Sequence, residues 1–263
     1  MRARMSWEAG VMIPPPNSFT EVDFYMTWRV GLLIPSPNSV MEVDFYRSLP
    51  HDTTLHTARM FMPDMTTASE EQMLDQFTLP AAAMVRTVLP HIVVFGSTSA
   101  CLLRGKAYDR ELCERVGELT GAEPVSVVES VTQALFDARA TRVAVVSPYT
   151  DDVNRRIKAG LESDGIAVSA MYGMGLSAAD GATVTPESIY SFVQSRVGPR
   201  VPADALFIAS TDYHAMSALS LLKIAYDVPI VTTNLAALQA VKRKLHRLRE
   251  REMAPAARRP ATT

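Results

Sequence analysis

Two short loops rich in serine and threonine hold the side chains with the clearest chemical potential in this sequence. The first loop is residues 96–100 (Gly-Ser-Thr-Ser-Ala), and the second is residues 209–212 (Ala-Ser-Thr-Asp). Each loop directly follows an apolar run that predicts a buried strand. Hydroxyl and backbone N–H groups in such loops can bind a carboxylate or stabilise an enolate-like oxyanion. The two loops therefore predict a site for a small anionic molecule.

Three further strand ends have the same character. The runs at residues 30–34, 142–146 and 229–233 lead into segments with small hydroxyl or amide side chains, which are residues 35–39, 147–150 and 233–234. In a parallel sheet the carboxyl ends of the strands share one edge, so we expect these segments to lie near the two Ser/Thr loops. The alternative is that each Ser, Thr or Asn is an ordinary helix cap.

Other site chemistries find little support in the sequence. It contains no Gly-x-Gly-x-x-Gly motif and no phosphate-binding loop that ends in Gly-Lys-Ser/Thr. The five histidines show no metal-ligand spacing, so we predict no metal site. Cys101 and Cys113 lie among apolar residues, which predicts buried and unreactive thiols. Next to Ser210, the local candidates for a base are Asp212 and His214.

The elements that would position these loops alternate between strand and helix. This alternation predicts an α/β fold with a mostly parallel sheet. The predicted strands are residues 30–34, 54–59, 91–95, 142–146, 166–171, 205–209 and 229–233. The predicted helices are residues 69–89, 109–119, 130–138, 151–163, 186–197, 213–225 and 235–249.

Composition limits the class of protein. The 263 residues are 48% hydrophobic, which is enough for a substantial core, and the net charge of −2 argues against a nucleic-acid partner. No apolar run reaches 18 residues, which predicts no membrane partner and no membrane span. Two cysteines are too few for a disulfide framework, so we expect a cytoplasmic location.

A repeat at the start of the chain suggests how the chain divides into structural units. Residues 10–25 recur as residues 31–46, and only the second copy leads directly into the alternating elements. We therefore interpret residues 1–25 as an N-terminal extension. Residues 26–120 with 215–250 are predicted to form one α/β half and residues 121–214 the other. Residues 251–263 are predicted to be a disordered tail.

The five strand-end segments together resemble the aspartate/glutamate racemase superfamily. They read Pro-Ser-Pro-Asn-Ser at 35–39, Ser-Thr-Ser at 97–99, Pro-Tyr-Thr-Asp-Asp-Val-Asn at 148–154, Ser-Thr-Asp at 210–212 and Val-Pro-Ile-Val-Thr-Thr-Asn at 228–234. Within the superfamily they are most similar to maleate cis-trans isomerase and arylmalonate decarboxylase. The resemblance implies two Rossmann-like halves related by a pseudo-two-fold axis, with the active site in the cleft between them. It also implies a cofactor-independent enzyme with no metal.

The resemblance assigns roles to eight residues. Ser97 and Ser210 occupy the positions of the two family cysteines and become the catalytic candidates. The remaining positions match contacts to the substrate, and these are Asn38, Thr98, Ser99, Tyr149, Thr211 and Asn234. The substrate implied is a small carboxylic or dicarboxylic acid, and a homodimer is implied as the assembly.

Serine in place of both cysteines leaves three functions open. A serine hydroxyl is far less acidic than a thiol, whose pKa is about 8.5, and it needs an adjacent base to act as a nucleophile. The first interpretation is a maleate isomerase-like enzyme that works through an enolate-like intermediate. The second is an enzyme similar to arylmalonate decarboxylase, and the third is a non-catalytic protein that binds carboxylates.

Overall fold

The computed structural model describes residues 7–8, 11–12, 28–64, 66–176 and 178–253. The strands in these residues are β1 (Trp7–Glu8), β2 (Val11–Met12), β3 (Trp28–Pro35), β4 (Thr53–Met60), β5 (Ile92–Phe95), β6 (Glu123–Ser126), β7 (Arg142–Ser147), β8 (Ala167–Gly173), β9 (Ala205–Ile208) and β10 (Ile230–Thr232). The helices are α1 (Met41–Ser48), α2 (Thr67–Gln72), α3 (Thr78–Arg86), α4 (Thr98–Leu103), α5 (Lys106–Thr120), α6 (Val127–Asp137), α7 (Asp151–Ser163), α8 (Ala178–Gly181), α9 (Pro186–Val197), α10 (Ala215–Ala225) and α11 (Thr233–Met253). One π-helical turn, Met73–Phe77, joins α2 to α3.

Two four-stranded parallel sheets form the framework. The first has the order β4-β3-β5-β6 and the second the order β10-β9-β7-β8. Counted from its own first strand, each sheet has the order 2-1-3-4, read in opposite directions. The predicted α/β class and its two similar halves are therefore confirmed.

A shared hydrophobic core connects the two halves. The inner strands β5 and β9 are buried along their whole length, as their unbroken apolar runs predict. One cluster of buried side chains includes Leu102 of α4, Ile157 of α7 and Phe207 of β9, which come from both halves. Because interiors are closely packed, this shared core limits how far the two halves can move relative to each other.

The sheets divide the chain at different points from the predicted boundaries. Strand β6 lies in the first sheet, although residues 121–214 were assigned to the second half. Strand β10 lies in the second sheet, and α10 packs on α9, although residues 215–250 were assigned to the first half. Only α11 returns to the first half, where it packs on α1 and α6. Gly121, with φ of 70°, ends α5 and leads straight into β6, so this turn separates two elements of one half.

The two ends of the chain are described only in part. In the predicted extension, β1 and β2 form an antiparallel pair with Trp7 opposite Met12, and the other residues of 1–25 lie outside the described residues. The second repeat copy builds the end of β3 and the start of α1. Helix α11 continues to Met253, so the predicted disordered tail begins with helix, and residues 254–263 lie outside the described residues. No described helix combines the length and the apolar character needed to span a membrane.

A buried carboxyl group in the first half leads to a prediction about pH. Asp109 of α5 is fully buried, and its Oδ2 accepts a 2.6 Å hydrogen bond from the Ser126 hydroxyl. Its Oδ1 is buried without a hydrogen-bond partner. Burial raises the pKa of Asp109, and hydrogen bonds from Cys101 and Ser126 oppose the rise only in part. The folded protein therefore binds this proton more tightly than the unfolded chain does.

We expect this proton to make stability fall as pH rises. The contribution of Asp109 is fully present below its ordinary pKa of 3.8 and is lost as pH rises through the higher pKa of the folded state. Asp109→Asn should flatten this part of the curve, because asparagine carries no charge to desolvate. Urea unfolding from pH 4 to pH 8 measures the effect, with exposed Asp227→Asn as the control. Parallel curves for wild type and Asp109→Asn would contradict the assignment.

Candidate active site

One cleft lies where four inner strands of the two sheets end. In each sheet, the chain first adds a strand on one side of its starting strand and then crosses to the other side. In the first sheet this places the loops after β3 and β5 next to each other, and in the second the loops after β7 and β9. Such switch points leave a crevice at the carboxyl ends of parallel strands, which is where ligands bind in open α/β sheets.

The side chains that line the cleft come from both halves. They are Pro35, Pro37, Asn38, Met62, Ser97, Thr98, Ser99, Pro148, Tyr149, Gly181, Ser210, Thr211 and Asp212. The cleft holds about 450 Å³ of space between atoms, part of it open to solvent. Its inner part has room for about one or two water molecules.

In the first half, the loop after β5 presents hydroxyl groups that do not serve as helix caps. Ser97 is the N-cap residue of α4, but its side chain makes no capping hydrogen bond. Thr98 is also buried, and its Oγ1 has no hydrogen-bond partner. The loop packs closely because Gly96 has no side chain, and a Cβ there would lie 2.8 Å from the Met41 sulfur. An unpaired buried hydroxyl is costly, which favours a role in binding.

In the second half, the loop after β9 holds Ser210 in a strained conformation. Its φ of 123° lies in a region that side chains other than glycine rarely adopt. The Ser210 N–H donates to Thr233 Oγ1 at 3.1 Å, and the Ser210 hydroxyl accepts a bond from the Asp212 N–H, also at 3.1 Å. Such strain persists only where surrounding contacts enforce it, and it is typical of functional sites.

Tyr149 brings the two hydroxyl loops together. Its backbone is fixed by Ser147, whose hydroxyl accepts from the Tyr149 N–H at 3.2 Å, and by Asn154, which donates to the Tyr149 carbonyl at 3.2 Å. Burial raises the pKa of Tyr149, and interactions with the side chains of Ser210 and Thr98 oppose the rise in part. The phenol therefore remains protonated and lies within reach of both halves of the site.

A second connection between the halves runs through the loop after β3. Asn38 donates from Nδ2 to Thr211 Oγ1 at 3.0 Å, across 173 residues of sequence. Asp212 Oδ1 accepts from the N–H groups of Ser39 at 2.8 Å and Val40 at 3.2 Å. The Asp212 carboxylate therefore caps the start of α1, which belongs to the other half. These bonds fix the Ser210 loop against the first sheet.

Asn234 lies behind the cleft and does not line it. Its Nδ2 donates to Asp44 Oδ2 at 2.8 Å and to the Thr211 carbonyl at 3.1 Å. The reason is topological, because β10 is an edge strand and the loop that follows it is one strand away from the switch point. Of the eight site residues inferred from the sequence, the other seven line the cleft.

The sequence profile of the arylmalonate decarboxylase family matches residues 30–256 of the chain. The chain belongs to this family. Its resemblance to the arylmalonate decarboxylase and maleate isomerase branch of the aspartate/glutamate racemase superfamily is thereby confirmed. A comparison with curated protein sequences gives no match.

Solved structures of both branches share the fold of this family member. An alanine variant of maleate isomerase Iso from Pseudomonas putida S16, with maleate, superposes with a TM-score of 0.77 at 22% identity, over 84% of this chain and 92% of that one. Nocardia farcinica maleate cis-trans isomerase bound to TRIS gives 0.73 at 19%, over 83% and 92%. A double variant of arylmalonate decarboxylase in a liganded form gives 0.73 at 20%, over 89% and 96%.

Some residues that shape the cleft were absent from the predicted set. Met62 follows β4 and Gly181 follows β8, and both line the cleft from outer strands. The signal that could have identified Met62 is its position after a strand. The weak apolar pattern of β4 obscured this signal. His214, a candidate base from sequence, instead contacts the Ala182 carbonyl through Nε2 at 3.1 Å.

The two cysteines of this decarboxylase-family chain do not replace the missing thiols. Cys101 and Cys113 are both buried. Burial raises the pKa of each thiol, and the nearby Asp109 adds to the rise. Neither sulfur lines the cleft. Within the described ranges, no group of three or more His, Cys, Asp or Glu side chains could hold a metal ion.

Proposed function

We propose that this protein is a cofactor-independent enzyme that removes one carboxylate from a small malonate-type dicarboxylic acid through an enediolate intermediate. The observation that supports this most strongly is the convergence of Ser97, Thr98 and Tyr149 with Ser210 on one cleft. All four of these side chains can donate hydrogen bonds to an oxyanion without carrying a charge of their own. The match to the arylmalonate decarboxylase family supports the same reaction.

The serine substitutions favour decarboxylation over the other reactions of the superfamily. In decarboxylation the C–C bond breaks, carbon dioxide leaves, and the bonding electron pair passes into the enediolate, so no base has to remove a proton. Racemisation needs a base on one face and an acid on the other, and thiol addition to a double bond needs a thiolate. A site with hydroxyl groups at both family cysteine positions therefore fits decarboxylation best.

The proton that completes the reaction comes from the Ser210 side of the cleft in this proposal. Asp212 lines the cleft and donates its N–H to the Ser210 hydroxyl. Burial raises the pKa of Asp212, although bonds from the Ser39 and Val40 N–H groups oppose the rise. Because its pKa is raised, the Asp212 carboxyl holds a proton to higher pH than an exposed carboxyl does, and in this proposal it delivers that proton to the enediolate carbon directly or through Ser210.

Two alternatives are tested by the same experiment. Maleate isomerase-like activity draws support from the fold shared with the two isomerase structures. A non-catalytic carboxylate-binding function draws support from the absence of any thiol in the lining of the cleft. The three functions differ in what happens to a bound carboxylate, because only the enzymes change it.

The test is to incubate the protein separately with phenylmalonate, maleate, aspartate and a hydantoin. We expect carbon dioxide and phenylacetate from phenylmalonate, measured by gas release and ¹³C NMR. Asp212→Asn should lower that rate at least about tenfold, because the amide has no acidic proton. A rise in melting temperature without turnover would support the binding function. Neither turnover nor a thermal shift with any of the four would contradict the proposal.

A further inference from the structure

An ion pair between a buried carboxylate and a partly exposed guanidinium crosses from one half to the other beside the cleft. Glu70 of α2 belongs to the first half and is fully buried. Arg156 of α7 belongs to the second half, and its Nη1 lies 2.8 Å from Glu70 Oε2. Asp152, one turn earlier in α7, binds Arg156 Nη2 at 2.9 Å. The guanidinium is therefore held in one orientation between the two halves.

This ion pair is costly for stability. Glu70 Oε1 and Arg156 Nε are both buried without a hydrogen-bond partner. Removing charges from water costs more than their mutual attraction returns unless every remaining polar atom is paired. Apolar side chains of similar size at these two positions would stabilise the folded protein at least as well. Stability alone therefore does not explain why these charges are buried here.

The position of the pair indicates what else it does. Helix α7 begins directly after the loop that carries Tyr149, and Arg156 lies in its second turn. Helix α2 packs on α4, which begins at Thr98. Arg156 Nη1 also lies 3.5 Å from the Ser99 carbonyl, in the first turn of α4. The ion pair thus joins the element that presents Tyr149 to the element that presents Thr98 and Ser99.

Electrostatics agree with this placement. Burial is the main cause of the raised pKa of Tyr149, and the negative charge of Glu70 adds to it. The other connection between the halves, from Asn38 to Thr211, lies beside Ser210 on the opposite side of the cleft. Among the described residues, no second contact between charged groups links the start of α7 to the start of α4.

We propose that Glu70 and Arg156 are positioning residues, which set Tyr149 of the second half against Thr98 and Ser99 of the first so that these groups bind one substrate carboxylate together. The inference rests on the proposed function only in taking the bound molecule to be a carboxylate. Neither residue lines the cleft, so each acts through the side chains that it positions.

The test uses variants that remove the charges in pairs. Glu70→Gln combined with Arg156→Gln leaves no unpaired buried charge; glutamine matches the size of glutamate at position 70 and is shorter than arginine at position 156. The control is Lys158→Gln with Glu162→Gln, which removes an ion pair of 3.8 Å that lies at the surface of α7 and touches no residue of α4 or of the cleft lining. Two quantities are measured on the full chain: amide hydrogen exchange in residues 97–103, and the dissociation constant for phenylmalonate.

We expect the Glu70/Arg156 double variant to exchange these amides at least tenfold faster and to bind phenylmalonate at least tenfold more weakly. Arg156→Lys should recover part of both effects, and the Lys158/Glu162 variant should show neither. Wild-type exchange and affinity in the double variant would overturn the proposal. If wild type itself does not bind phenylmalonate, the proposed function fails, and the exchange rates alone decide whether the pair positions α4.

Discussion

Replacing Ser210 with cysteine is expected to raise the rate of phenylmalonate decarboxylation by about 100-fold. A thiol with a pKa near 8.5 donates a proton to an enediolate far more readily than an alcohol does, and a well-placed acid or base contributes about 10²–10⁴-fold. The geometry favours the substitution, because Ser210 lines the cleft and its strained backbone already presents the side chain there. Carbon dioxide release at pH 7 to 9 measures the gain.

Adding Ser97→Cys to that variant should introduce a second activity. The two thiols would then come from opposite halves of the cleft, with one able to remove a proton as the other supplies one. We expect exchange of the α-hydrogen of 2-phenylpropionate with deuterium in the double variant, measured by ¹H NMR, and not in either single variant.

The control for this prediction is Ser195→Cys, which places a new thiol on the exposed surface of α9. It should leave both activities as they are in wild type. The native thiols do not interfere, because burial raises the pKa of Cys101 and of Cys113. A Ser210→Cys variant that folds and binds phenylmalonate but gains no rate would show that the proton does not arrive from the Ser210 side.

The parts of the fold that the sequence predicted share one physical property. Strands β3, β5, β7 and β9 are buried on both faces, so they appear as unbroken apolar runs. The helices predicted between most of the strands then imply parallel sheets. Strand β6 was missed because Glu123 and Pro124 interrupt its pattern, which an edge strand tolerates because one side is unpaired.

Which strands share a sheet could not be predicted from local patterns. Strand β10 follows β9 after helix α10, and only pairing in three dimensions shows that it joins the sheet of β9 and not that of β6. The same limit applies to helix α1, which the sequence did not predict. Its amphipathic pattern is short, and its start is capped both by the nearby Asn38 and by Asp212, which comes from the other half.

The candidate site shows the same division between local and distant information. The identity of residues after each inner strand is a local property, and it placed seven predicted residues around one cleft. The function of Asn234 as a bridge between Asp44 and Thr211 depends on a partner 190 residues away. The Glu70–Arg156 ion pair, separated by 86 residues, also has no local signature. Contacts between the halves therefore had to come from the structure.

Gly173→Ala is expected to destabilise the protein by about 3 kcal/mol and to weaken carboxylate binding at the same time. Gly173 ends β8, and a Cβ there would lie 2.2 Å from Asn154 Nδ2 and 2.5 Å from the Tyr149 carbonyl oxygen. Real Cβ atoms do not approach so closely, so Asn154 or the Tyr149 backbone must shift. Either movement breaks the 3.2 Å bond that fixes Tyr149 in the cleft.

Gly165→Ala, in the turn just before β8, separates this effect from simple backbone strain. Its φ of 80° makes alanine cost about 1–2 kcal/mol, but a Cβ there would meet no atom within 4 Å. Urea unfolding should therefore rank Gly173→Ala as the less stable variant, and only Gly173→Ala should lose affinity for phenylmalonate in calorimetric titrations. Equal affinity in the two variants would mean that Tyr149 does not depend on the Asn154 bond for its position, and that β8 supports the fold without supporting the site.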